Sequence, residues 1–356
     1  MTIAGLGPHG ERASAPERVL LLPEDMERAR ANGFRVAVVL HTLESDWAKQ
    51  QLSGIIGTLG NCGVAVIDVI DCAFTPEVQI EALGRLIEEA PDAIISLPVA
   101  NSKVAAAHAR VSAAGIKLIL LDNAPTGLLP GKDYISLVSA DNFGLGKIAA
   151  EGLSPHLPDG AEVGVLGYDA DFFATNEREI AFVKWMQIHR PDVTLRVQRF
   201  PALSAVAATT RTLAEAHPDL AGFFVVWDTP AIMAAGVLKT LGRKIPMTTV
   251  DLGHAAAIGL AASDPLVAIA AQQPFRQGES AASITVTALL GRPAPDWVAL
   301  PGLAVTASNV VECFQTVWRA PAPQEVLRRL RLVGLKASDQ HPSWRHDTKV
   351  ANLSDF

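Results

Sequence analysis

The residues best equipped for chemistry in this 356-residue sequence are carboxylates, amides and indoles that recur where apolar runs end: Asp122-Asn123, Trp227-Asp228, Asp251 and Gln272. A carboxylate offers acceptor oxygens to neighbouring hydroxyls of a polyol, and an amide donates and accepts around it. An indole face covers the apolar C–H face of a sugar ring at low conformational cost. Trp47 and Trp227 are placed for this if the segments carrying them face one another. A structural role suits the same positions, with Asp122 and Asp251 as helix N-caps after strands and either indole in a core. Spacing alone leaves both readings open.

Other chemistry is absent from the pattern. There is no Gly-x-x-x-x-Gly-Lys-Ser/Thr, no His-Glu-x-x-His and no Gly-x-Ser-x-Gly. The first strand runs into His41-Thr-Leu-Glu-Ser-Asp-Trp47 with no glycine between Leu40 and Gly54, so it lacks the turn that admits a dinucleotide pyrophosphate. Gly144-Leu-Gly146 is too short to replace it. The nine His show no metal-ligand spacing and read as solvated or capping. Cys62 and Cys72 flank an extended strand that holds them too far apart to pair, so they read as free buried thiols. No cofactor, metal or catalytic residue is expected.

The elements that position the strand-end residues follow a repeat of apolar run, turn and amphipathic helix, about thirty residues long, the size of a strand–helix crossover. The first series holds strands at 35–40, 64–70, 93–97 and 116–121. Helices carry Leu52, Ile55, Ile56 and Leu59, and then Ile80, Leu83 and Ile87, the second begun by Thr75 as N-cap and Pro76. The second series holds strands at 162–166, 193–197, 222–226, 247–250 and 266–270. Their nearly continuous β-branched and Leu runs predict parallel sheets covered by helices on both faces, hence an α/β protein of two like lobes about a shared cleft. After Pro301 a helix is expected from Gln324 to Leu335 with Arg328, Arg329, Arg331 and Lys336 on a solvated face, then a polar tail.

Composition narrows the partners. Apolar residues make up 49% and charged residues 19%, a globular balance, and a net charge of −7 supplies no basic field for nucleic acid or an anionic membrane. Six Trp outnumber two Tyr. In the first 33 residues the one apolar run, Val19-Leu-Leu-Leu22, is too short for a leader or a membrane span.

The stretch Asp141-Asn-Phe-Gly-Leu-Gly-Lys-Ile-Ala149, the strand Gly115-Ile-Lys-Leu-Ile-Leu-Leu-Asp122 and the turn His41–Trp47, in that order and separation, resemble the type I periplasmic sugar-binding proteins of the ribose-binding group over about Phe34 to Asn309. The resemblance implies two Rossmann-like lobes joined by three crossings of a hinge. The first lobe would span 34–140 plus 274–305 and the second 141–273, with extensions at 1–33 and 306–356. It implies a ligand site made by Ser45, Trp47, Asp122, Asn123, Asn176, Trp227, Asp228, Asp251 and Gln272. Departures from the family pattern are Ser45-Asp46-Trp47-Ala48 in the first turn, Asn123 where an Arg is common, Asn176 for the first Arg of an Arg-x-Arg that leaves Arg178, and Trp227 for an Asn.

With two guanidinium forks gone, and Glu44, Asp46 and Asp228 at the rim, anionic ligands are disfavoured. A small neutral sugar or polyol comes first and an amine-bearing one second. The resemblance further implies a monomer that delivers its ligand to an ABC transporter permease in the periplasm, although no leader is legible. The alternative is the ligand-sensing domain of a lactose-repressor-type regulator. Its helix-turn-helix headpiece finds no matching pair of helices in the 33 residues before Phe34.

Overall fold

In the computed structural model, which describes residues 3–331, the apolar runs become the central strands of two sheets. After a 3-10 turn at Pro16–Val19 and helix α1 (Pro23–Asn32), the first series runs β1 (Arg35–Leu40), α2 (Asp46–Asn61), β2 (Ala65–Asp71), α3 (Pro76–Glu89), β3 (Ala93–Ser96), α4 (Ala105–Ala113), β4 (Lys117–Leu121) and β5 (Ser136–Ala140). The second series runs α5 (Asn142–Leu153), β6 (Glu162–Tyr168), α6 (Phe173–His189), β7 (Thr194–Phe200), α7 (Val206–Ala216), β8 (Leu220–Val225), α8 (Asp228–Thr240), β9 (Met247–Val250), α9 (His254–Ala262) and β10 (Leu266–Ala271). The chain returns through α10 (Pro274–Leu289) and β11 (Trp297–Leu300), then passes back to β12 (Leu303–Val305) and α11 (Val310–Trp318).

Each sheet has six strands, in the orders β11-β5-β4-β3-β1-β2 and β12-β10-β9-β8-β6-β7. All pairings are parallel except β12, which runs antiparallel to β10 with Val305 opposite Ile269. The first five strands of each series thus repeat one doubly wound order, and β1 is buried at every residue but Arg35 because helices cover both faces. Three segments cross between the sheets: β5 to α5, β10 to α10, and β11 to β12. Parallel strands direct all their carboxyl ends to one edge, so the two sheets present their strand ends to the same cleft.

Close helix packing sets the geometry of the lobes. Helices α2 and α10 meet at Gly54 and Gly278, where a Cβ on either would collide with the backbone of the other helix. In the second lobe α5 meets α6 at Gly146, where a Cβ would strike the Arg178 carbonyl oxygen. Within Gly144-Leu-Gly146, then, Gly146 serves the packing of α5 on α6 and Gly144 leaves room for the Asp141 carboxylate that caps α5.

Three expectations about the elements change, and a fourth is met as far as the described residues reach. Leu303–Val305, expected in the first lobe, pairs with β10 in the second sheet, so the last crossing falls at Pro301-Gly302. Residues 3–33, expected as an N-terminal extension, are tied to the rest of the chain: Ser14 bridges to Val298, Asp25 pairs with Arg292 at 2.8 Å, and the Ala4 and Gly5 amides donate to the Asp141 carboxylate that caps α5. Thr75 takes the N-cap position of α3, but its hydroxyl donates to the Ala73 carbonyl and makes no cap bond. The helix expected from Gln324 is present over 324–331, and its continuation to Leu335 and Lys336 lies outside the described residues.

Candidate functional site

The strand ends converge on an interlobe cavity of about 220 Å³, smaller than the usual range for drug-sized ligands and suited to something of monosaccharide size. From the first lobe come His41, Thr42, Glu44, Ser45 and Trp47 after β1, Phe74 after β2, Leu97 and Val99 after β3, and Asp122 after β4. From the second come Tyr168 at the end of β6, Phe172, Ala174, Thr175 and Arg178 around the start of α6, Trp227 to Thr229 after β8, Asp251 after β9 and Gln272 after β10.

Asp122 and Asp251 are buried, and both adopt left-handed backbone, with φ of 51° and 75°. Neither caps a helix: the N-cap of α9 is Gly253, and Asp122 leads into a loop. The left-handed conformation is one that short polar side chains tolerate better than others. Asp251 accepts from Gln272 Nε2 at 2.6 Å and lies 3.8 Å from Arg178 Nη1. Arg178 also donates to Asn142 Oδ1 at 2.9 Å and to the Val226 carbonyl at 3.1 Å. Asp228, the first residue of α8, accepts from the Gly253 amide at 2.9 Å.

Burial is the largest influence on these carboxyls. It pushes Asp122 up to about 6 against the opposing pull of Arg178. It also raises Asp228, assisted by the charge of Asp251, and raises Asp251 despite Arg178 and Gln272. His41 is pushed down to about 4 by burial, so its imidazole is neutral at physiological pH.

Aromatic rings wall the cavity from both lobes. His41 meets Phe74 edge-on at 4.8 Å and Trp47 at 5.7 Å, and lies 6.5 Å from Phe172 of the other lobe at an interplanar angle of 30°. Trp227 is held edge-on against Tyr168 at 5.3 Å. The lobes are drawn together at the rim: Asp46 Oδ2 accepts from the His254 backbone N–H at 3.1 Å and from its ring Nδ1 at 3.0 Å, and Asn101 Nδ2 donates to Asp171 at 2.7 Å. The second assignment requires the Nδ1–H tautomer of His254. Among the described residues no cluster of three or more His, Cys, Asp or Glu is set to hold a metal ion.

The periplasmic binding protein domain matches residues 36–293, the span that builds both lobes and the cleft. The chain belongs to the periplasmic binding protein family. It is 25% identical over 268 residues to the ribose import binding protein of Bacillus subtilis (strain 168), covering 75% of this chain and 86% of that protein. Its fold is similar to a solute-binding protein of an Agrobacterium vitis ABC transporter bound with α-D-tagatopyranose, with a TM-score of 0.74 at 22% identity, over 82% of this chain and all of that one. A second Agrobacterium vitis solute-binding protein, with bound allitol, matches with a TM-score of 0.72 at 21% identity, over 80% of this chain and 98% of that one.

Within this periplasmic binding protein, the structure brings Ser45, Trp47, Asp122, Trp227, Asp228, Asp251 and Gln272 to the one cavity. The Ser45 hydroxyl is already engaged, capping α2 through the Ala48 amide. Two expected residues lie elsewhere. Asn176 lines a separate groove with Glu179 and Arg199, because Ala174 and Arg178 share the cleft-facing stripe of α6 and a residue two positions along points away from it. Asn123 is buried below the cavity, donating to the Pro98 carbonyl and accepting the Phe173 amide, so it ties the first lobe to the start of α6. Asp46, expected on the rim, forms the bridge to His254.

Sequence reasoning missed His41, Phe74, Tyr168, Phe172 and Arg178. A solvated or capping role does not hold for His41, which lines the cavity, or for His108, which is fully buried between the Ser96 hydroxyl and the Val104 carbonyl. Tyr168 was within reach of the strand-end rule, but Gly167 interrupts the apolar run that continues to it.

Proposed function

We propose that this protein captures one small neutral carbohydrate or polyol in the interlobe cleft and presents the closed form to the permease of an ABC importer in the periplasm. It binds its ligand without transforming it and works as a monomer. The observation that carries this reading is the supply of buried carboxylates and aromatic rings from both lobes to one cavity. A ligand that bridges Asp122 and Asp251 binds the closed arrangement better than an open one and shifts the population toward it. The tagatopyranose and allitol held by similar folds support a ligand of this class. The regulator alternative loses ground, because the ribose import binding protein and the similar solved folds are solute-binding components of importers.

A thermal-shift screen of neutral monosaccharides and polyols tests the proposal. A ligand at a hundred times its dissociation constant adds about 2.7 kcal/mol to the folded state and raises the melting temperature visibly. A panel that leaves the melting temperature unmoved overturns it.

A further inference from the structure

The hydrogen-bonding capacity of the cavity is unbalanced toward acceptors. The nearest donors to Asp122 are Gln51 Nε2 at 3.5 Å and the Ala140 amide at 3.4 Å, both at the outer limit of a hydrogen bond. The Gln51 Oε1 beside it is buried without a partner. One Asp228 oxygen has the Gly253 amide, while the other has only the Thr229 hydroxyl at 3.4 Å. Against four lining carboxylates, Glu44, Asp122, Asp228 and Asp251, stands one guanidinium, and Arg178 already directs Nε and Nη1 to Asn142 and the Val226 carbonyl. Trp47 Nε1 has no partner, and the other donors lining the cavity, such as the Tyr168 hydroxyl and the Trp227 indole, are neutral, so among the described residues Arg178 is the one cation in the lining.

We infer that the cleft holds an amine-bearing sugar or polyol more tightly than its neutral counterpart, with the ammonium seated against Asp122, Asp228 and Asp251. The inference rests on the carbohydrate reading of the cleft. An ammonium brings three donors and no acceptor, which matches the surplus, whereas each hydroxyl that donates also brings an oxygen in need of a donor. Its positive charge offsets the net negative charge that is costly to bury. The rings of Trp47, Tyr168, Phe172 and Trp227 that line the cavity can add an electrostatic attraction where a face meets the cation. Burial raises the proton affinity of all three Asp carboxyls, and the charge and donors beside them offset it only in part.

Isothermal titration of the full chain near neutral pH with matched pairs tests this: glucose and glucosamine, galactose and galactosamine, and glucitol and 1-amino-1-deoxyglucitol, each sugar also as its N-acetyl derivative. In the pair that fits the cleft, the amine is expected to bind at least about tenfold tighter, the scale of a charge-assisted hydrogen bond. N-acetylation should remove the advantage, and Asp228→Asn should narrow the amine-to-neutral ratio to below about threefold. A neutral member that binds as well as or better than its amine overturns the inference and leaves the carbohydrate reading standing. No binding by any member overturns both.

Discussion

Asp122 is a buried carboxyl whose ionisation costs stability, and Asp122→Asn isolates that cost. Its carboxyl is pushed from the ordinary aspartate value of 3.8 to about 6, with burial as the leading cause. A displacement of about two units corresponds to about 3 kcal/mol, because each unit is about 1.4 kcal/mol. The sign follows from proton binding. Below pH 3.8 the group is protonated in both folded and unfolded chains and behaves much like Asn. As the pH rises toward about 6, the unfolded chain ionises first and is favoured, so the wild type loses stability that the Asn variant keeps. Above that window the deficit is constant. Asparagine also tolerates the left-handed backbone at this position, so the substitution adds little strain. Thermal unfolding of both proteins without ligand, from acid to neutral pH, should show the variant gaining up to about 3 kcal/mol on the wild type across the window, while its ligand affinity falls. Buried His41 and His108, both pushed down to about 4, act in the opposite sense over an overlapping range and cancel in the comparison. A stability difference that stays flat with pH would refute the assignment of Asp122 as a desolvated, under-partnered carboxyl.

Trp227→Ala should weaken ligand binding by about 2 kcal/mol, the scale of a buried aromatic anchor, and remove part of the fluorescence change on titration; unchanged affinity sinks the stacking role. Asp46→Ala and His254→Ala should each speed ligand release, and a double-mutant cycle should return a coupling of about 0.2–1 kcal/mol, as for an exposed pair. Independent effects would mean that the rim bridge contributes nothing to closure. Cys62 and Cys72 should resist a thiol reagent in the native protein and react once it is unfolded in urea, because both are buried and the Cys72 thiol is pushed up to about 12. Rapid labelling of either in the native state contradicts their burial.

The strands of both series were legible wherever the run was continuous and apolar, as at Arg35–Leu40 and Met247–Val250. Three strands were not. Ser136–Ala140 interleaves Ser with apolar residues, and it is buried because Ser139 accepts from the Trp297 indole at 2.8 Å, a partner 158 residues away. Trp297–Leu300 and Leu303–Val305 are too short to show a period, and they become strands by pairing with β5 and β10. Asn123 and Asn176 were misplaced for a similar reason: position in a motif does not reveal which way a side chain faces once α6 has docked on α5.

The sequence by itself determined the local grammar: two series of apolar strands and amphipathic helices, with carboxylates, an amide and an indole at strand ends. Hydrophobic periodicity and turn chemistry act over a few residues, so they are written in adjacent positions. Only the tertiary structure decided that Asp122 is an under-partnered carboxyl, that neither it nor Asp251 caps a helix, that Arg178 lies beside Asp251, and that His41 and Phe172 close an aromatic wall from opposite lobes. Those properties are burial, charge balance and facing. They arise when segments more than a hundred residues apart share one cavity, and no spacing within either segment encodes them.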